Sequence, residues 1–223
     1  MTIKGYIGAI IELLLFAFIS YLVRYKFNNM NPVIYYWFSF STLTGIWEYI
    51  YVTKYYSVAT YADTLIELHK HVWTESYPIT ILLPWEFSKV FYAEYAAYAD
   101  REYMSRMEGD YWSRLIESSH AILCAFFSFL ALYFHYNGYY NHSMAAGCVG
   151  MGQQLMNSIL YLGEYFLQCR DIYSINYNST MFPLGKMMED RLFMWVNLFW
   201  LILPTYCIIY YLTRSYPNYS LIV

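Results

Sequence analysis

Five stretches of this chain are apolar for long enough to cross a bilayer: residues 5–23, 32–53, 115–136, 144–168 and 191–212. About 20 such residues in a helix span the hydrocarbon core, and in lipid only helices or closed barrels satisfy their own backbone groups. The sequence therefore predicts an all-α integral membrane protein with five transmembrane helices in a single membrane domain. Charge supports this, because only 13% of the 223 residues are charged, about half the share usual for a soluble domain. A net charge of −3 without any Lys/Arg-rich block argues against nucleic acid as a partner. Cys124, Cys148, Cys169 and Cys207 show no C-x-x-C spacing and lie mostly in apolar runs, so they read as small core residues.

The first run follows Lys4 and precedes Arg24 and Lys26, with no small-residue cleavage pattern, and reads as an uncleaved anchor. Its one acid, Glu12, is read as reaching for an interface and is assigned no function. The second run opens on Pro32 and places Trp37, Ser41, Thr44 and Glu48 at helical spacing on one face. An acid deep in a span costs about 3 kcal/mol to insert, so Glu48 is expected to face a cavity or a partner. The third run brings Glu117 and His120 onto one face. The fourth carries Gln153, Asn157, Tyr161 and Glu164 as a polar stripe along an apolar helix. Polar stripes commonly hold helices together, but three spans each presenting a carboxylate exceed that need and point to a shared polar cavity. In the last run Asn197 and Trp200, three residues apart, share a face. Pro204, one turn on, frees a backbone carbonyl.

Residues 54–113 hold most of the charge, including His69, Lys70, His71, Glu75, Glu86, Lys89, Glu94, Asp100, Arg101, Arg106 and Asp110, and read as a surface cap. Within it, residues 84–99 alternate aromatic and charged positions, as a helix lying on a membrane surface would. His69 and His71, two apart, do not share a helix face, and the five histidines of the chain are too few for a histidine-box oxygenase; no metal is expected. Sequons begin at Asn141, Asn178 and Asn218. Lys and Arg concentrate on the side of the N-terminus, the cap and residues 169–190, which predicts that side to be cytosolic, with Asn141 and Asn218 lumenal.

Four motifs in order resemble the emopamil-binding protein family of EXPERA membrane domains, the sterol delta-8 to delta-7 isomerases of the endoplasmic reticulum. Asn197, Trp200 and the following Leu201–Pro204 are similar to the family's N-x-x-W-L-x-L-P. Gly152 and Gln153, then Ile159 to Glu164, resemble its G-Q run and L-Y-F-L-T-E type sequence. Gly109, Asp110 and Glu117 keep its G-D and E spacing. Glu94, Tyr95, Asp100 and Tyr103 resemble its W-K-E-Y-x-K-x-D-x-R-Y stretch, lengthened by one residue. The resemblance, covering about residues 33–212, implies a four-helix EXPERA core preceded by an extra span, with an enlarged helical cap between spans two and three. It implies an endoplasmic reticulum location, with another organelle membrane such as the mitochondrial inner membrane as the alternative, and no cofactor. It also implies a sterol or other membrane lipid as partner, and a homodimer or membrane complex as a possible assembly.

The residue roles it implies are Glu117 and Glu48 as catalytic carboxyls, with Asn197 and Trp200 beside them. Moving a ring double bond requires adding a proton to one alkene carbon and taking one from another, through a carbocation kept from water. A carboxyl in an apolar cavity has its pKa raised, so one acid can donate while another accepts. The Trp200 ring face would hold the cation, worth about 2 kcal/mol when desolvated. Thr44 stands where the family has His, and His120 stands near a family Thr, so the imidazole is read as moved to the third span; His71 and Glu75 offer an alternative H-x-x-x-E spacing. Thr44, Trp37, Tyr161, Gln153, Asn157 and Glu164 are the candidate substrate-binding residues. Three functions follow as expectations: the isomerase, a catalytically silent binder of sterol or cationic amphiphiles, and a structural subunit of a large membrane complex.

Overall fold

The computed structural model describes residues 1–103, 111–175, 177 and 192–213. The expectations that fall on Arg106, Gly109, Asp110 and the sequons at Asn178 and Asn218 lie outside these residues. The described chain is mostly helical: α1 (Gly5–Val23), α2 (Pro32–Thr53), α3 (Tyr55–Glu67), α4 (Pro84–Tyr98), α5 (Tyr111–Tyr136), α6 (Tyr140–Gln168) and α7 (Phe199–Thr213), with short 3-10 turns at Arg24–Phe27, Ile79–Leu82 and Leu192–Leu198. Three of its segments, Gly5–Phe27, Leu115–Tyr136 and Met194–Thr213, are long and apolar enough to cross a membrane.

α2 begins where Asn31 caps it. The side-chain oxygen accepts from the Val33 and Ile34 N–H groups at 2.9 and 3.3 Å, and Pro32 fills the first position, which has no donor to satisfy. The helix packs along α5, α5 packs along α6, and α6 along α7. Phe38, Ala146, Cys207 and Tyr211 bury one end of this bundle. Gly147 of α6 sits against Phe38 and Tyr211, where an added Cβ would lie 2.7 Å from the Phe38 ring. Cys124, Cys169 and Cys207 are buried and form no disulfide among the described residues, as small core residues.

α4 departs from the surface position its alternating sequence suggests. Phe87, Ser88, Val90, Tyr92, Ala93, Glu94, Tyr95, Ala96 and Ala97 are all buried, and the helix packs on α2 and α3. Its alanines explain this, because small side chains let a backbone approach a neighbour closely; Ala93 and Ala97 are fully buried. The Ser88 hydroxyl donates to the Trp47 carbonyl of α2, fixing the pair. Glu94, buried on the far side of α4, accepts the Val72 N–H at 3.0 Å and meets His71 Nδ1 at 2.7 Å, so it pins the 70–72 turn.

The N-terminus is tied to the region between α3 and α4. Strands β1 (Thr2–Lys4) and β2 (Ser76–Pro78) pair antiparallel, with Ile3 opposite Tyr77. The first two N–H groups of α1, which no helix can satisfy internally, donate to the Glu75 and Trp73 carbonyls at 3.0 Å each. Gly5 is required there, since a Cβ would come within 2.1 Å of the Val72 carbonyl oxygen. Beyond this anchorage α1 is largely exposed. Glu12, expected to reach outward, is instead 4% exposed and buried in the protein.

Candidate active-site cavity

A cavity of about 100 Å³ lies between the helices, lined from five directions. α2 supplies Glu48. α5 supplies Glu117 and His120, one turn apart. α6 supplies Asn157, Ser158 and Tyr161, and α4 supplies Phe91, Tyr92 and Tyr95. Val196, Asn197 and Trp200 come from the junction where the 3-10 turn becomes α7, and Tyr103 completes the wall. Residues three apart eclipse one another in a 3-10 turn and share a face in an α-helix, so Asn197 and Trp200 stay together across that junction.

All five residues read from the sequence as catalytic, Glu48, Glu117, His120, Asn197 and Trp200, therefore meet on one cavity, together with Asn157 and Tyr161. Four others do not line it. Trp37 stands behind Trp200, edge-on with ring centroids 5.4 Å apart, and donates its indole N–H to Gln154 Oε1 at 3.0 Å. Thr44 is buried one turn from Glu48 and donates to the Ser41 carbonyl of its own helix. Gln153 is half-buried one turn from Asn157, and Glu164 is exposed and accepts from Gln168. The alternative pair also lies elsewhere, with His71 against Glu94 and Glu75 against Lys70.

Aromatic stacking sets the wall opposite Trp200. Tyr51 of α2 stacks on Tyr92 at 4.4 Å and on Tyr103 at 5.1 Å, and the Tyr103 hydroxyl donates to Glu117 Oε2 at 3.5 Å. Burial pushes the Tyr92, Tyr95 and Tyr103 phenols well above their ordinary range, so they keep their protons. The sequence reading did not name Tyr92, Tyr103, Phe91 or Ser158 as site residues. Tyr95 and Tyr103 stand in the sequence only as letters of a motif, and nothing in the spacing tells Tyr92, Tyr95 and Tyr103 from the other 26 tyrosines.

The Glu48 carboxyl, the Asn157 amide, the Ser158 hydroxyl and the Trp200 indole N–H make no hydrogen bond among the described residues, and none of them is sealed from the cavity. Four polar groups that face the cavity without a partner among the described residues leave hydrogen-bonding capacity on its wall for something that enters it. The volume limits what that is. About 100 Å³ is room for roughly three waters at ~30 Å³ each, below the ~300 Å³ of a pocket that swallows a drug-sized ligand. The cavity admits a small charged head or one edge of a ring system. Two carboxyls beside an imidazole and an indole can attract a cation, give and take a proton, and hold positive charge against a ring face.

Compared with known protein families, characterised proteins and solved structures, the chain has no match.

Proposed function

We propose that this protein is a multi-pass membrane isomerase of the emopamil-binding type, acting on a ring double bond of a sterol-like lipid. The observation that carries this reading is that Glu48 and Glu117, from different helices, line one cavity with Trp200. One carboxyl gives its proton to an alkene carbon, leaving a tertiary carbocation on the neighbouring carbon; the other carboxylate removes a proton from the next position, and the double bond re-forms one place along. No electron is gained or lost, so no redox partner is needed. Trp200 faces the cation, and Asn197 and His120 orient the acids. Only the reacting ring edge enters the cavity, and the rest of the nucleus lies between the helices.

A membrane setting with five crossings fits the geometry. The β1–β2 pairing holds the N-terminus and the 76–78 segment on one side, so if α1 crosses, α2 must cross back. α5 and α6 are joined by a tight turn, and α7 packs along α6, which supports a reading with three further crossings. The endoplasmic reticulum is the membrane where such a substrate is made.

A second reading, a catalytically silent binder of cationic amphiphiles, is favoured by the small volume and by Thr44 standing where an imidazole relay would be needed. Expression in yeast lacking sterol delta-8 isomerase separates the two. The isomerase reading expects delta-7 sterols, and Glu117→Gln should lower their formation at least about 100-fold while the protein extracts and melts as before. Unchanged turnover in Glu117→Gln overturns the role of Glu117. Displacement of a labelled cationic amphiphile by sterol without any product establishes the second reading.

A further inference from the structure

Behind the cavity, a buried carboxylate sets the direction of a hydrogen-bond chain that ends on a cavity-lining side chain. Asp100 is 0% exposed. Its Oδ1 accepts the Glu102 and Tyr103 N–H groups at 3.0 and 3.1 Å, and its Oδ2 accepts the Tyr161 hydroxyl at 2.9 Å. A carboxylate only accepts, and a phenol has one hydrogen to give. Tyr161 spends its hydrogen on Asp100, so in its short contact with Tyr95 it accepts, and Tyr95 donates, with Met194 Sδ as a weaker second acceptor 3.4 Å from the Tyr95 hydroxyl. The Tyr95 oxygen in turn accepts Asn197 Nδ2 at 3.3 Å, with Met194 Sδ beside the same nitrogen at 3.6 Å. The Asn197 amide is thereby fixed nitrogen-inward. Its oxygen takes no hydrogen bond among the described residues and is left for the cavity that Asn197 lines.

We propose that Asp100 is a positioning residue that makes the Asn197 carbonyl an acceptor on the cavity wall, so that the site selects ligands bearing a polarised N–H or O–H over equally charged ligands without one. With Glu48 and Glu117, the cavity then shows acceptors from three helical segments, and Tyr103 gives its hydroxyl to Glu117. A protonated tertiary amine or a hydroxyl satisfies the Asn197 oxygen. A quaternary ammonium carries the same charge but leaves that oxygen bare. This inference rests on the cavity being a ligand site, whether or not chemistry follows.

Asp100→Asn is the direct test. The amide oxygen still accepts from Glu102 and Tyr103, but its nitrogen now donates to Tyr161, and every bond in the chain reverses until Asn197 turns its NH₂ to the cavity. The probes are dodecyldimethylamine, protonated at neutral pH, and dodecyltrimethylammonium, competing against radiolabelled dodecyldimethylamine on the full-length protein in nanodiscs. The wild type is expected to prefer the N–H-bearing amine about tenfold, the scale of one hydrogen bond to a charged donor. In Asp100→Asn that ratio falls to about one, and in Tyr95→Phe, which cuts the chain while leaving Asp100 and its backbone partners in place, it falls in the same direction. A wild type without preference, or two variants that keep the wild-type ratio, overturns the inference alone. A wild type that binds neither amine overturns the ligand-site reading and this one with it.

Discussion

Trp200 has its ring edge-on to both Trp37 and Phe40, at 5.4 and 6.0 Å, so it is held from behind and cannot turn away from the cavity. Replacing it by Leu keeps an apolar plug but removes the π face, and binding of dodecyldimethylamine should weaken about thirtyfold, the equivalent of ~2 kcal/mol for a desolvated cation–π contact. Equilibrium displacement on the full-length protein checks this, and unchanged affinity would remove Trp200 from the binding wall. Of the residues at this cavity that the sequence made legible, Glu48, Glu117 and Asn197 stand out because their chemistry is costly in an apolar run, while Asn157 and Tyr161 belong to a polar stripe and His120 and Trp200 share a face with an acid or an amide. Periodicity also named Thr44, Trp37, Gln153 and Glu164, because a helical face continues for many turns. The cavity is little more than one turn tall, so candidates a turn or more above and below its level fall outside it. The tyrosine wall was illegible for a different reason. Tyr51, Tyr92 and Tyr103 stack across three separate segments, and no local pattern encodes that meeting.

Helix starts and packing stripes are legible at the scale of elements, while their partners are not. Asn31 and Pro32 mark the start of α2 in the sequence, and the cap forms as that pattern implies. The Asn31 amide nitrogen also donates to the Tyr206 hydroxyl of α7 at 3.0 Å, joining the first and last helices of the bundle. Asn31→Ala loses the cap and the bond to Tyr206 and should cost about 1–2 kcal/mol, lowering Tm by several degrees with little change in ligand affinity; thermal unfolding of the purified protein in detergent measures it. An unchanged Tm would mean that α2 starts without its cap. α4 gave the opposite lesson. Its charged residues, Glu86, Lys89 and Glu94, suggested a surface layer, yet two of them pair with each other at the rim and the third ties down the 70–72 turn. That leaves an alanine and aromatic face free to enter the core, and the entering face carries Tyr92 and Tyr95 to the cavity. Charge counts alone cannot separate an exposed helix from one whose charges are spent locally.

For the molecule as a whole, the decisive constraint is the two-stranded sheet between residues 2–4 and 76–78. It joins chain segments separated by α1, α2 and α3, and the first two N–H groups of α1 donate into the same loop. A short strand pair cannot form through a bilayer, so in the proposed membrane topology both segments lie on one side, and the number of crossings between them is even. The tight turn around Gly138, whose φ of 80° suits glycine, lies at the far end of α5 and belongs to the opposite side in the proposed topology. Single cysteines at Thr74 and Asn137, both exposed, placed in a background with the four native cysteines replaced by alanine or serine, test this directly in sealed vesicles. A membrane-impermeant maleimide should label one position from outside and the other only after permeabilisation, and an N-terminal epitope should follow the behaviour of position 74. Equal labelling of both positions from one side would remove the odd crossing between them and, with it, the bundle of spanning helices around the cavity. An epitope on the side opposite position 74 would instead mean that the sheet does not form in the membrane, leaving α1 free of the cap that now holds it.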